Sequence, residues 1–187
     1  MEGALTGKTG FTGEAGYCYV GAVRQGDRTL IVALLACGWP NNKNYKWADM
    51  KTLVQYGLNQ YGYCNYWEDA MQDQDIRILE AGKKRTVKDA PAKDGNLYQD
   101  GTVNTFLNID DQDREKRILM KKTEAIQVQI EEKQEITAPI ESGDILGTVT
   151  ILLNGETLDE KPIVSGESIQ KKNLLWIYRQ LWKSYAL

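Results

Sequence analysis

"GALTGKTGFTGEAGYC", residues 3–18, holds two overlapping motif fragments close to the start of the chain. Gly7-Lys8-Thr9 ends like a nucleotide-binding P-loop, whereas Lys8-Thr9-Gly10 puts a cation, a hydroxyl and a bare backbone position in a row. A P-loop needs Gly, four residues, then Gly-Lys-Ser/Thr. Here Gly3 to Gly7 encloses only three residues, and the position that should be glycine is Glu2. A P-loop also needs a buried strand before it and a helix after it, so that backbone N–H groups and the helix dipole hold phosphate. Six residues precede Gly7, and Phe-Thr-Gly-Glu-Ala-Gly follows Gly10. The P-loop is excluded. On a strand, Lys8 supplies a point charge for a carboxylate, Thr9 supplies a hydroxyl, and Gly10 lets a ligand lie against the backbone.

Working outward, residues 17–23 and 29–37 are β-rich, and Arg24-Gln-Gly-Asp-Arg28 between them reads as a turn, so the pair is a hairpin. The second run is apolar on both faces, as in a strand covered on both sides. Residues 38–44 form a loop. From 47 to 61, Trp47, Met50, Leu53, Val54, Leu58 and Tyr61 share a helical face, with Tyr56 flanking it and Gly57 weakening the last turn. Beyond Trp67, β-like runs recur at 76–79, 102–109, 118–121, 125–130, 135–137 and 147–153. Asp94-Gly95, Asp100-Gly101 and Asn154-Gly155 punctuate them, and the spacing predicts a small all-β domain. From Ser168 the period returns to helix. Leu174, Ile177, Tyr178, Leu181 and Tyr185 share one face, and Lys171, Lys172, Arg179 and Lys183 lie off it or at its margin.

Charge divides the chain in the same places. The net charge is −3, but residues 1–66 carry about +2, 67–167 about −9 and 168–187 about +4 with no acid. Three segments are therefore expected: 1–66, 67–167 and a basic amphipathic tail, 168–187. The acidic middle argues against nucleic acid as a partner. The sequence has no histidine, which excludes His-based triads and His metal sites. Cys18, Cys37 and Cys64 have no metal-like spacing and read as buried free thiols, so neither metal nor cofactor is expected. No run approaches the length of a membrane span. Met-Glu-Gly-Ala-Leu-Thr-Gly lacks the basic and apolar regions of a signal peptide, so the chain as given is expected to stay cytoplasmic.

The wider context of the triplet adds a resemblance. "GKTGFTGEAGYCYVGAVRQGDRTLIVALLACGWP" followed by "WADMKTLVQYGLNQY" resembles the serine D-Ala-D-Ala carboxypeptidases, the low-molecular-mass penicillin-binding proteins. In both, Lys-Thr-Gly-aromatic-Thr leads to two strands, a loop and a helix ending in Tyr-Gly. "TAPIESGDILGTVTILLNGETLDEKPIVSGE" is similar to the second, β-rich domain of that family. The likeness covers most of the chain and is loosest around 82–115. It implies an α+β fragment: a β-hairpin plus helix from the end of the penicillin-binding, transpeptidase-like domain, then the all-β domain, then the helical tail.

The resemblance also implies roles. Lys8 would contact the substrate's terminal carboxylate and a serine hydroxyl, and Thr9 would help bind the same carboxylate. Gly10 would admit the substrate backbone. The Phe11 backbone N–H would be one of two oxyanion donors, with Thr12 supporting it. Lys46 falls where related enzymes often have an arginine near that carboxylate, and a lysine there lacks the bidentate fork. The family's Ser-x-x-Lys nucleophile and Ser-x-Asn motif lie upstream of Lys-Thr-Gly. The one Ser-x-x-Lys here, Ser168-Ile169-Gln170-Lys171, comes after the β domain, in the wrong order, and no Ser-x-Asn exists. The chain is thus expected to be the C-terminal part of an enzyme that trims peptidoglycan stem peptides and is acylated by β-lactams. The complete enzyme would work on the outer face of the cytoplasmic membrane, and the chain alone would be inactive. The alternative is a non-catalytic binding or spacer module of the cell envelope. Expected partners are an anionic membrane surface for 168–187, and the upstream half or a second copy for strands left without neighbours or cover near Leu5 to Phe11 and Leu30 to Ala36.

Overall fold

The computed structural model describes residues 1–185, so the last two positions of the expected tail lie outside the described residues. In chain order the elements are strands Ala4–Thr12 (β1), Gly16–Gln25 (β2) and Arg28–Leu34 (β3), helix Tyr45–Gln60 (α1), strand Tyr61–Asn65 (β4), and helices Tyr66–Ala70 (α2) and Gln74–Ala81 (α3). Strands Lys83–Pro91 (β5) and Asp100–Leu107 (β6) follow, then the short helix Asp111–Arg114 (α4), then strands Arg117–Lys121 (β7), Ile126–Glu132 (β8), Ile145–Leu153 (β9) and Glu156–Ser165 (β10). Helix Leu174–Tyr185 (α5) comes last. The fold is mixed α/β with sheets predominating. Its contacts separate into two compact units, Met1–Tyr63 with Leu119–Thr123 and Cys64–Ile118 with Glu124–Leu187.

The first unit is an antiparallel meander, β1-β2-β3, backed by α1. Tyr19, Val23, Val32 and Leu34 point to one face of the sheet, where Met50 and Val54 of α1 pack on them. Gly57 sits where the helix meets the sheet, and a Cβ there would lie 3.1 Å from a Leu30 methyl. The glycine that weakens the helical pattern is thus a packing position. Arg28 closes the C-terminal end of α1, its guanidinium donating to Leu58 O at 2.7 Å and Tyr61 O at 2.6 Å. That places a cation on the negative end of the helix dipole. The strand expected to be covered on both sides is covered on one. Ile31 and Leu35 are 75% and 80% exposed on the face away from α1.

The second unit is built on a five-stranded antiparallel sheet, in the order β5-β6-β10-β9-β8. The sheet curls until its edges meet. Lys83 of β5 pairs with Glu132 of β8 at 2.7 Å, and the Arg85 guanidinium donates to the Lys133 carbonyl. Beyond β8 the chain runs along the outer edge of β5, where Lys88 N donates to Ile136 O and Ala138 N to Lys88 O. Trp67, Ile76 and Leu79 pack with Leu107, Val149, Ile151 and Ile163, while Val87, Val103 and Leu146 belong to a second cluster. The buried hydroxyls are satisfied: Thr105 donates to Lys83 O and Ser165 to Glu167 O.

Three sequence expectations need correction. The region 67–167 is not all-β. Ile76 to Leu79, expected as a strand, lies in α3, because Asp73 caps the helix through the N–H groups of Asp75 and Ile76. Ile76 and Leu79, three apart, then fall on one buried face. Residues 135–137 form no strand, and Thr137 makes an isolated bridge to Lys88. The cysteines are free, but only Cys37 is buried. Partial burial and a hydrogen bond to Asp69 push the Cys64 thiol up to about 11.

Asp159 ties helix to sheet in this unit. Its Oδ2 accepts from Trp67 Nε1 at 3.0 Å and from the Tyr66 hydroxyl at 3.1 Å, and Lys161 lies 3.8 Å from Oδ1. Lys161 and Lys116 also pair with Asp113. Burial alone would raise the Asp159 carboxyl. The donors from Trp67, Glu160 and Tyr66, with Lys161, outweigh it and hold the group below the usual carboxylate range. Burial first, and the Asp159 charge second, push Tyr66 up to about 12. Because the folded state lowers the carboxyl's pKa, its contribution is present above the ordinary value and fades as pH falls through the folded one. Asp159→Asn should destabilise the protein by about 2–3 kcal/mol at neutral pH. In urea melts followed across pH, the gap from the parent protein should narrow below about pH 4.

Candidate functional site

β1 carries the Lys8-Thr9-Gly10 triplet and forms hydrogen-bonded pairs only with β2 among the described residues, so it is an edge strand. Lys8 stands opposite Val20, Thr9 opposite Tyr19, Gly10 opposite Cys18 and Phe11 opposite Tyr17. Directly opposed residues share a face. Thr9 and Phe11 therefore point to the α1 side with Tyr19 and Tyr17. Lys8 points the other way, to the face that carries Val20, Ile31 and Leu35. All nine residues of β1 are exposed. At its end, Thr12 Oγ1 accepts from Ala15 N at 3.0 Å and shapes the hairpin turn.

The α1 side of the hairpin is an aromatic network. Phe11 and Tyr17 rings lie 4.6 Å apart, and Tyr19 meets Trp47 edge-on at 5.0 Å. The Lys46 ammonium sits 4.9 Å above Tyr17 and 5.2 Å from Trp47. Lys46 is therefore held by rings on the face opposite Lys8, and the two cations are not brought together. Trp39 reaches the hairpin turn from the loop, its Nε1 donating to Gly13 O at 3.1 Å. Gly16 makes room for it in the left-handed region at φ +68°, where a Cβ would lie 2.8 Å from Gly38 O and 3.1 Å from the indole ring. A cavity of about 920 Å³ lined by Tyr19, Arg28, Trp47, Met50 and Leu58 also lies on this side, away from Lys8.

Ser168 and Lys171 form no catalytic pair. Ser168 Oγ accepts from Ser142 N at 3.0 Å, and Lys171 lies 3.5 Å from Asp89. Among the described residues, no group of three or more Cys, Asp or Glu side chains is arranged to hold a metal.

Similarity to known proteins extends over both the hairpin region and the β-rich region after it. Residues 112–171 match the family described as penicillin-binding protein 5, C-terminal domain. The D-alanyl-D-alanine carboxypeptidase DacF of Bacillus subtilis (strain 168) is 25% identical over 168 residues, covering 90% of this chain and 38% of the relative. Over most of its length the chain is similar to a D-alanyl-D-alanine carboxypeptidase, and within that span it matches the C-terminal domain of penicillin-binding protein 5. Among solved structures, the carboxypeptidase DacD from Francisella tularensis is similar at 22% identity, with a TM-score of 0.44, over 92% of this chain and 37% of that one. Penicillin-binding protein 5 from Haemophilus influenzae is similar at 20% identity, with a TM-score of 0.36, over 88% and 42%. The chain thus spans less than half the length of each of these relatives.

The residues that sequence reasoning passed over are Tyr17, Tyr19, Trp39 and Trp47, the rings around the triplet. For Trp39 and Trp47 the signal was the density of Trp, Tyr and Asn between Gly38 and Trp47. The structure makes Gly16 the seat of Trp39. Gly16→Ala should cost about 1–3 kcal/mol through strain at positive φ and the clash with Gly38, read as a lower thermal midpoint with released Trp39 fluorescence.

Proposed function

We propose that this chain is the C-terminal part of a serine D-Ala-D-Ala carboxypeptidase acting on peptidoglycan stem peptides. The first unit would be the end of its catalytic domain and the second its β-rich domain. The observation that carries the reading is the coincidence, on one sheet face, of the Lys8 cation with the exposed side chains of Val20, Ile31 and Leu35. These are 48%, 75% and 80% exposed. Such a face is large and aliphatic enough to need cover, and β1 offers a free edge beside it. Helices supplied by the rest of a catalytic domain would cover that face and bring a nucleophilic serine to Lys8.

In that assembly Lys8 holds the terminal carboxylate and the hydroxyls that exchange protons. Thr9, which turns to the α1 side, would add a donor to that carboxylate only across the free edge of β1, while Thr12 holds the hairpin turn. Gly10 lets the substrate backbone run along the edge, and the Phe11 N–H supports the oxyanion. The serine attacks the scissile carbonyl, the terminal D-Ala leaves as the amine, and water then releases the acyl group. Lys46, locked among rings on the other face, does not share this work. The second reading, a non-catalytic spacer, would leave the aliphatic face to a second copy.

The tail supports a surface role for the protein in the cell envelope. α5 joins none of the hydrophobic cores, and it turns Leu174, Leu175, Tyr178, Trp182 and Tyr185 outward beside Arg179 and Lys183. No helix of the described residues is long and apolar enough to cross a membrane. An amphipathic, acid-free helix of this kind lies in the interface of an anionic bilayer.

Two experiments test the proposal. Intact-mass measurement after penicillin treatment should find no adduct on these 187 residues. Adding the upstream half of a relative, fused or in trans, should yield one. Lys8→Ala should then cut labelling by about a hundredfold or more, and Ser168→Ala should leave it unchanged. An adduct on the isolated chain that vanishes in Ser168→Ala overturns the reading. Separately, deleting residues 174–185 should abolish sedimentation with vesicles rich in phosphatidylglycerol at low salt. Full-length protein that ignores such vesicles removes the anchor.

A further inference from the structure

We infer that Asn154 is a site of spontaneous covalent modification: its carboxamide reacts with the amide nitrogen of Gly155, and the product loosens the β9–β10 hairpin. Asn154 and Gly155 are the whole loop between the two strands, closed by the pair Leu153 and Glu156. Their φ angles are +54° and +82°, as in a type I′ hairpin turn. Both residues are exposed. A backbone nitrogen reaches the side-chain carbonyl before it most easily when its own residue carries no bulk. Asn154 is the only asparagine of the sequence followed by glycine, and nothing lies within 4 Å of where a Gly155 Cβ would stand. The Gly155 N–H makes no hydrogen bond among the described residues, so none has to break before it reacts.

The two Asp-Gly steps of the same unit are closed to this chemistry. Gly95 N donates to Ala92 O at 3.1 Å, and Asp94 Oδ1 accepts from Asn96 N at 3.0 Å. Gly101 is buried opposite Val87 in the β5–β6 ladder, and the Asp100 carboxylate accepts from Asp89 N at 3.2 Å and faces Lys172 at 3.5 Å. At the open step, Gly155 N gives its proton to hydroxide and bonds to Asn154 Cγ. The Cγ–Nδ2 bond breaks, and ammonia leaves with a proton taken from water. Water then opens the five-membered imide at either carbonyl. One product is an ordinary aspartate, and the other carries the backbone through the side chain. The sum is asparagine plus water to aspartic acid plus ammonia, with no redox partner. In the parent chain Asn154 Nδ2 donates to Glu124 Oε1 at 3.0 Å. The ordinary aspartate replaces that donor with a second carboxylate beside Glu124. The side-chain-linked product loses the donor and adds a methylene to a loop whose length fixes the register of β9 on β10. β10 lies between β6 and β9, so the hairpin that ages holds a central strand of the sheet.

The test is incubation of the full chain in mildly alkaline buffer, followed by peptide mapping with chromatographic separation of the two aspartyl products. Asn154 should convert at least about tenfold faster than any other asparagine, and more slowly in mildly acid buffer, because Gly155 N must lose a proton. Asp94 and Asp100 should stay unisomerised. The purified converted chain should melt about 2–4 °C below the parent. Asn154→Asp should reproduce the charge part of that loss, and adding Glu124→Gln should recover most of it. Asn154→Gly, which suits positive φ and has no carboxamide, should keep a constant midpoint through the same incubation. Conversion of Asn154 no faster than that of the other asparagines overturns the inference. So does a converted chain that melts with the parent, or an Asn154→Gly chain that loses its midpoint as fast as the parent does.

Discussion

The ring of Tyr19 lies over two glycines, and the arrangement of the first unit depends on it. Gly7 of β1 and Gly21 of β2 face each other across the ladder, and a Cβ on either would come within 2.3–2.4 Å of the Tyr19 hydroxyl. A slip of one residue would put Thr6 or Lys8 under the ring and reverse every side chain of β1. The packing of one tyrosine therefore decides that Lys8 faces away from α1. The same ring meets Trp47 edge-on and so links the register of the strand to the seat of the helix.

This constraint gives the small sheet two unlike surfaces. Toward α1 it carries a compact core, and at the hairpin end a set of immobilised rings. On the other side it carries a cation amid bare aliphatic groups. The second unit solves a different problem with charge. Its curled sheet is joined at the edges by Lys83, Arg85 and Glu132, and its helices are tied down through Asp159. The partly exposed ion pairs there contribute modestly one by one. Asp159 stands apart because two aromatic donors converge on it.

The first hairpin and α1 were legible because each has a clean period and a turn signal between strands. Gly26 at positive φ occupies the turn expected after Gln25. The period also located β6 to β9 to within a few residues. It missed β5 and β10, whose sequences Lys-Lys-Arg-Thr-Val-Lys and Glu-Thr-Leu-Asp-Glu-Lys look like solvated loops. Both are strands because neighbours on the curled sheet hold their charges and backbone, a tertiary effect that no local window contains. It misjudged α3 because four residues, Ile-Arg-Ile-Leu, fit either period, and the deciding cap lay outside the run. At the site, the triplet and its chemical sense could be read from the sequence. The face Lys8 takes, and the capture of Lys46 by Tyr17 and Trp47, depend on register and could not.

β10 is the last strand among the described residues, yet it lies in the middle of its sheet, between β6 and β9. Ile163 pairs with Leu107 across more than fifty intervening residues, so the contact that unites the two halves of the sheet is also among the slowest to close. Trp67, Ile76 and Leu79 leave the ribosome long before Ile163 can cover them. The β1–β3 meander and α1 of the first unit can order while synthesis continues, and Leu119–Thr123 join them later. The second must wait for its final strand and then form as a whole, so a ribosome that stops short of residue 165 releases a unit with its central strand incomplete.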